Sequence, residues 1–160
     1  MNLYAPSKRV CARAVTFLLV SAFILMVVSQ LPTTHAATTF TVNSLTDTPD
    51  SAPGNGTCAD ANGACTLRAA IGEANSLSGD DTINFSVIGT INLTGALPIL
   101  SSNVIINGPG SSLLTVRRDI GGNYRIFQTS GSSSISGLTI TNGRTPDGVT
   151  EDIAPSGGGI

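Results

Sequence analysis

Residues 81–141 read DTINFSVIGTINLTGALPILSSNVIINGPGSSLLTVRRDIGGNYRIFQTSGSSSISGLTIT, and the recurrence of their apolar positions decides the fold. Short apolar runs stand between turn residues: TINF (82–85), TINL (90–93), VIIN (104–107), LLTV (113–116), RIFQ (125–128) and ISGLTIT (135–141). Each is too short for a helix and reads as a strand. Ile83, Ile105 and Phe127 lie 22 positions apart, twice, and so do Ile91, Leu113 and Ile135; Gly89, Gly110 and Gly131 lie 21 apart. A period of 21–22 residues is too short for a propeller blade or a helical-pair repeat. It predicts an all-β chain wound as a parallel β-helix of about three to four coils, with the two aliphatic series stacked inward and glycine at the bends. A leucine-rich repeat has a similar period but needs a regular Leu framework and an Asn at a fixed offset, which this stretch lacks. An antiparallel sandwich also spaces short strands evenly, but gives no reason for matched 22-residue series.

Upstream, residues 37–45 (ATTFTVNSL) alternate, with Phe40 and Val42 on one face of a short strand. Residues 46–63 are turn formers almost throughout, among them Pro49, Pro53, Gly54, Gly56 and Gly63. The period then changes. Leu67, Ile71 and Ala74 fall at i, i+4 and i+7, one face of a helix over 66–76 that Thr66 can cap. Residues 37–80 therefore read as a cap over the open end of the first coil, and 81–160 as the coils, with another coil expected beyond the closing GGGI.

Residues 14–28 (AVTFLLVSAFILMVV) carry no charge, Lys8, Arg9 and Arg13 precede them, and Thr34 and Ala36 are the small residues of a cleavage site. Residues 1–36 thus have the three parts of a secretory signal peptide. A fifteen-residue run is short for a membrane span, which needs about 20, although a retained N-terminal anchor is the alternative. Cys11 lies ahead of the apolar run, where a lipid-modified cysteine would not be. Cleavage after Ala36 leaves 124 residues with five arginines (Arg68, Arg117, Arg118, Arg125, Arg144) against ten acids, a formal charge of −5. They include neither Lys nor His. An acidic chain without a basic stripe is a poor nucleic-acid ligand. Without histidine, a Ser–His–Asp triad, a Cys–His pair and a His-ligated metal are excluded. Cys58 and Cys65 bracket CADANGAC, and paired thiols in an exported chain predict a disulfide.

The segment Cys65, Thr66, Leu67, Arg68, Ala69, Ala70, Ile71 (CTLRAAI) resembles the CSLREA motif of exported bacterial proteins with β-helix repeats. GEANSLSGDDTINF after it, and LTGALPILSSNVIINGPG, ISGLTITNG and GGGI further on, are similar to the family's run into and along its coils. The resemblance covers roughly residues 40–160. It implies a right-handed parallel β-helix of the pectin-lyase-like fold and a secreted or cell-surface protein, but no single activity. Thr66 replaces the motif's Ser and keeps a capping hydroxyl. Ala69 replaces its Glu, so the second half of a capping box is lost.

Two charged clusters remain to be read for chemistry. Asp47, Asp50, Asp60 and Asn62 crowd a Gly-rich loop and are hard oxygen ligands of the kind calcium takes. Their spacing matches no calcium loop, and aspartate is common in loops because it makes local turns. Arg117, Arg118, Asp119 and Arg125 form the charged cluster of the coils. A lyase would need several acids converging on one strand face, and a glycosidase would need a carboxylate pair. No strand centre carries such an acid. The expectation is a module without catalytic residues, metal or cofactor, adhesin-like or in contact with polysaccharide. The alternative is the N-terminal part of a pectate-lyase-like enzyme whose site lies in further coils.

Overall fold

The structure is a computed structural model that describes residues 36–145. The leader read over 1–36 falls, but for Ala36, outside the described residues, as do 146–160. Described are strands β1 (Thr39–Val42), β2 (Asp80–Phe85), β3 (Gly89–Leu93), β4 (Asn103–Asn107), β5 (Leu114–Arg118), β6 (Ser133–Ser136) and β7 (Thr139–Thr141), with one helix, α1 (Leu67–Ser76). The described residues are thus all-β in class. The strands form two open sheets, β1-β2-β4-β6 and β3-β5-β7, and every pairing is parallel. Leu100 adds a parallel bridge to Thr129. The chain therefore visits first sheet, second sheet and bridge in the same order twice, by β2, β3, Leu100 and then β4, β5, Thr129, and β6 and β7 are the last strands among the described residues.

Parallel pairing places equivalent side chains over one another about 4.8 Å apart. Phe40, Ile83, Ile106 and Ile135 occupy one row of the first sheet; Ile91, Val116 and Ile140 occupy one row of the second. These rows belong to one hydrophobic cluster with Leu97, Leu100, Ile126 and Phe127. Fully burying one such side chain is worth about 1.5–3 kcal/mol.

The 22-residue series needs correction. Ile83 pairs with Ile106 and Ile106 with Ile135, steps of 23 and 29; Ile91 pairs with Val116 and Val116 with Ile140, steps of 25 and 24. Ile105 and Leu113, expected inward, are 43% and 46% exposed. The cause is strand parity. Side chains alternate, so in VII and LL only one of two adjacent apolar residues can point inward. Val104, Ile106 and Leu114 take those places. RIFQ is not a strand: the adjacent Ile126 and Phe127 are both buried, which an alternating backbone does not permit. ISGLTIT divides at Gly137 into β6 and β7, which lie in different sheets. Gly137 has φ +66°, and a Cβ there would stand 2.3 Å from the Gly108 carbonyl oxygen, so glycine is needed at this corner.

Helix α1 packs against β1 and β2, at the start of the first sheet. Thr66 is its N-cap, accepting at Oγ from Ala69 N–H at 3.0 Å and donating to the Thr48 carbonyl at 2.6 Å. Cys58 and Cys65 form the expected disulfide, so the loop is tied one residue before that cap. Ala69 is fully buried. Ala69 stands at the third helical position, so the Thr66 half of a capping box is present and alanine supplies no return bond to the cap.

Candidate functional site

The residues of CTLRAAI come together as a structural joint. Leu67, Ala69, Ala70 and Ile71 are buried without measurable exposure. Arg68 turns the other way. Its Nε and Nη2 donate to Asp47 Oδ1 and Oδ2 at 2.8 and 2.9 Å, and its remaining bonds go to the carbonyls of Ala96 (2.6 Å) and Gly95 (2.8 Å). Asp47 also accepts from the N–H and hydroxyl of Thr94. One bidentate ion pair therefore fastens helix, acidic loop and the turn after β3. Glu73, unremarked in the sequence, is fully buried and accepts from Gly54 N–H at 2.6 Å and from Gly56 N–H. Buried carboxylates need such donors.

The acidic loop does not converge on a common point. Asp47 faces Arg68, while Asp50 accepts from the N–H groups of Ala52 and Ala59 at 2.8 and 2.9 Å. Asp60 accepts from Thr48 Oγ (2.6 Å) and from the N–H groups of Ala64 (2.9 Å) and Asn62 (2.8 Å). The bond from Thr48, then those from Ala64 and Asn62, hold the Asp60 carboxyl below its ordinary pKa. Among the described residues no group of three or more His, Cys, Asp or Glu is placed to hold a metal.

The basic cluster divides as well. Arg117 meets Asp119 at 3.6 Å on an exposed surface, a pairing worth little. Arg118 donates to the carbonyls of Asn142 (2.6 Å) and Gly122 (3.0 Å), and its guanidinium lies 6.0 Å from the centre of the Tyr124 ring. The Tyr124 hydroxyl sits 3.0 and 2.9 Å from the carbonyls of Leu93 and Ile120. Burial raises its pKa, and the charge of Asp47 adds to the rise. Arg125 is half-buried. Arg118 and Tyr124 brace a corner.

The outward rows of the strands are regular and, Ile105 apart, polar. On the first sheet Thr82, Ile105 and Ser134 form one row, and Asn84, Asn107 and Ser136 another. On the second, Thr90, Thr115 and Thr139 align beside Asn92, Arg117 and Thr141. At the beginning of the first sheet's strands lies an open cleft of about 320 Å³, lined by Asp80, Asn103, Ile105, Ser132, Ser133 and Ser134. Asn103 Nδ2 donates to Asp80 Oδ1 at 2.8 Å. The cleft combines a half-exposed aliphatic surface with a carboxylate, an amide and three hydroxyls. Its size is at the lower end of small-ligand sites, about 300–1,000 Å³. Sequence reasoning missed it because Ile105 was assigned to the interior. The pairing of Ile83 with Ile106 turns Ile105 outward, and VIIN, with three consecutive apolar residues, carries no signal of that choice.

Comparison with family models, curated proteins and solved structures returned no match.

Proposed function

We propose that this chain is an exported bacterial protein of the CSLREA type, whose described part is the N-terminal portion of a right-handed parallel β-helix that contacts polysaccharide without catalysing a reaction. The repeated visiting order of two parallel sheets and a bridge favours the β-helix. Handedness follows from the rule that parallel crossovers are right-handed in about 98% of cases. The charged leader with Thr34 and Ala36 favours export to the surface or medium.

The observation that carries the functional reading is the cleft on the first sheet. Ile105 offers an apolar patch against the C–H face of a sugar ring, while Asp80, Asn103 and the serines offer acceptors and donors to its hydroxyls. Asp80 is the single carboxylate in the lining. Glycoside hydrolysis takes two, placed across the bond, so binding is favoured over turnover.

Affinity gel electrophoresis of the exported full chain tests this, with polygalacturonate, xylan, a neutral β-glucan and peptidoglycan in separate gels. At least one should retard the protein. Ile105→Ser combined with Asn103→Ala should abolish the retardation while leaving the protein folded, with a thermal midpoint lower by no more than about 10 °C. Polygalacturonate should give no absorbance from unsaturated product. Migration unaffected by all four polymers, or retardation that persists in the double variant, would refute the reading.

A further inference from the structure

Asp81 is a buried carboxylate with half of its chemistry unaccounted for. It lies in β2 on the inward side, in the row that continues with Val104, and is 0% exposed. Its Oδ1 accepts from the backbone N–H of Thr38 at 2.8 Å. Its Oδ2 is buried and has no hydrogen-bond partner. Isolated buried charges are costly, and proteins resolve them by pairing. The position of the unmet oxygen is informative. Thr38 is held on its other side too, since its carbonyl accepts from Thr82 N–H at 2.8 Å. The backbone nitrogen of residue 37 is one residue away from that anchored amide, a span of at most about 3.6 Å. Ala37 is the residue that the cleavage signal places first in the processed chain.

We propose that removal of the leader after Ala36 creates an internal ion pair, in which the new α-ammonium of Ala37 docks on the buried carboxylate of Asp81. The step is hydrolysis of the Ala36–Ala37 amide by a leader peptidase. One water is consumed: its hydroxyl goes to the Ala36 carbonyl carbon as the C–N bond breaks, and the Ala37 nitrogen takes the water's remaining proton and the one the new Ala36 carboxyl releases, becoming an ammonium beside a free carboxylate at neutral pH. Before cleavage that nitrogen is an uncharged amide with one N–H. Afterwards it carries a full charge and three donors, matching an acid that the unprocessed chain leaves half-satisfied. Ala36 and Ala37 are both exposed, as a peptidase requires. Processing then locks β1 onto β2 at the edge of the first sheet. The inference rests on the leader reading given above.

Its test exploits the composition. Residues 37–160 contain no lysine, so the α-amine is their sole primary amine. The intact mass of the exported protein first establishes whether the chain starts at Ala37; any other start refutes the leader reading and the ion pair with it. Given that start, the rate of amine acylation is compared in native and urea-unfolded protein. The native amine should react about tenfold more slowly or less. In folded Asp81→Asn the native and unfolded rates should converge. Acetylating the amine should lower the thermal midpoint by about 5 °C in the parent and leave Asp81→Asn unmoved. Should Asp81→Asn not fold, the native-to-unfolded rate ratio of the parent decides alone. Equal rates in the parent would overturn the ion pair while leaving the leader reading intact.

Discussion

Replacing Arg68 by alanine removes the guanidinium that joins the helix to the acidic loop and to the turn after β3. The Asp47 side chain is 3% exposed and that of Arg68 15%, so water replaces little of what is lost. Breaking a buried pair by deleting one partner typically costs about 3–5 kcal/mol, because the other charge is left uncompensated. Two considerations favour the lower end. Asp47 keeps the donors of Thr94, at 2.7 Å from N–H and 2.8 Å from the hydroxyl, and Ala96 is exposed enough for water to reach its carbonyl. The expected loss is therefore about 3 kcal/mol, a fall of roughly 10–20 °C in thermal midpoint for a domain of this size. Urea titration followed by far-ultraviolet circular dichroism measures it. Arg68→Lys keeps the charge but not the planar fork, and should lose about half as much. Adding Asp47→Asn to Arg68→Ala should cost less than the two single changes summed, since both remove the same contact. An Arg68→Ala midpoint within about 0.5 kcal/mol of the parent would show that the joint does not hold the cap.

Ile106→Ala should cost about 2–5 kcal/mol, because Ile106 is fully buried, whereas Ile105→Ala, at a position 43% exposed, should cost under about 1 kcal/mol; equal costs in urea titration would reject the register. Asp60 provides a pH signature. Its pKa is lower in the folded chain than in the unfolded one, so its contribution is present above the ordinary carboxylate pKa of about 3.9 and lost as pH falls through the folded value. Asp60→Asn should thus lower the urea midpoint at pH 6, with the gap to the parent closing progressively below about pH 4; a gap constant from pH 6 to pH 2 would contradict it.

Much of the architecture is legible in local sequence where local chemistry decides it. Thr66 before a Leu67–Ile71–Ala74 face is sufficient for a capped helix, and two cysteines around a short Gly-containing loop are sufficient for the disulfide. Register is less legible. VIIN offers three consecutive apolar residues and LLTV two, so neither states which parity faces in. That choice belongs to the neighbouring strand, through Ile83 and Ile91. The segment at 125–128 is buried on successive residues and satisfies no period. Arg68–Asp47 and Glu73 with Gly54 and Gly56 join residues 17 to 21 positions apart across an irregular loop, where no spacing rule applies. The cleft was hidden for the same reason as the register.

The unequal steps between stacked residues have a consequence for how such a chain can vary. Ile106 to Ile135 takes six residues more than Ile83 to Ile106, yet both pairs sit in continuous parallel register. The surplus lies in connecting segments, and lengthening a loop costs only about 0.6 kcal/mol per doubling. Insertions at exposed points of those segments, away from the buried Leu97, Leu100, Ile126 and Phe127, cost little, while a single-residue slip inside a strand would invert a whole face. The strand rows behave as a rigid rack, and only the exposed stretches of the connections are free to vary. Diversity in what the molecule displays should accumulate at those exposed points, while the corner from Arg118 to Tyr124, closed by side-chain bonds to the Gly122 and Ile120 carbonyls, should keep its length.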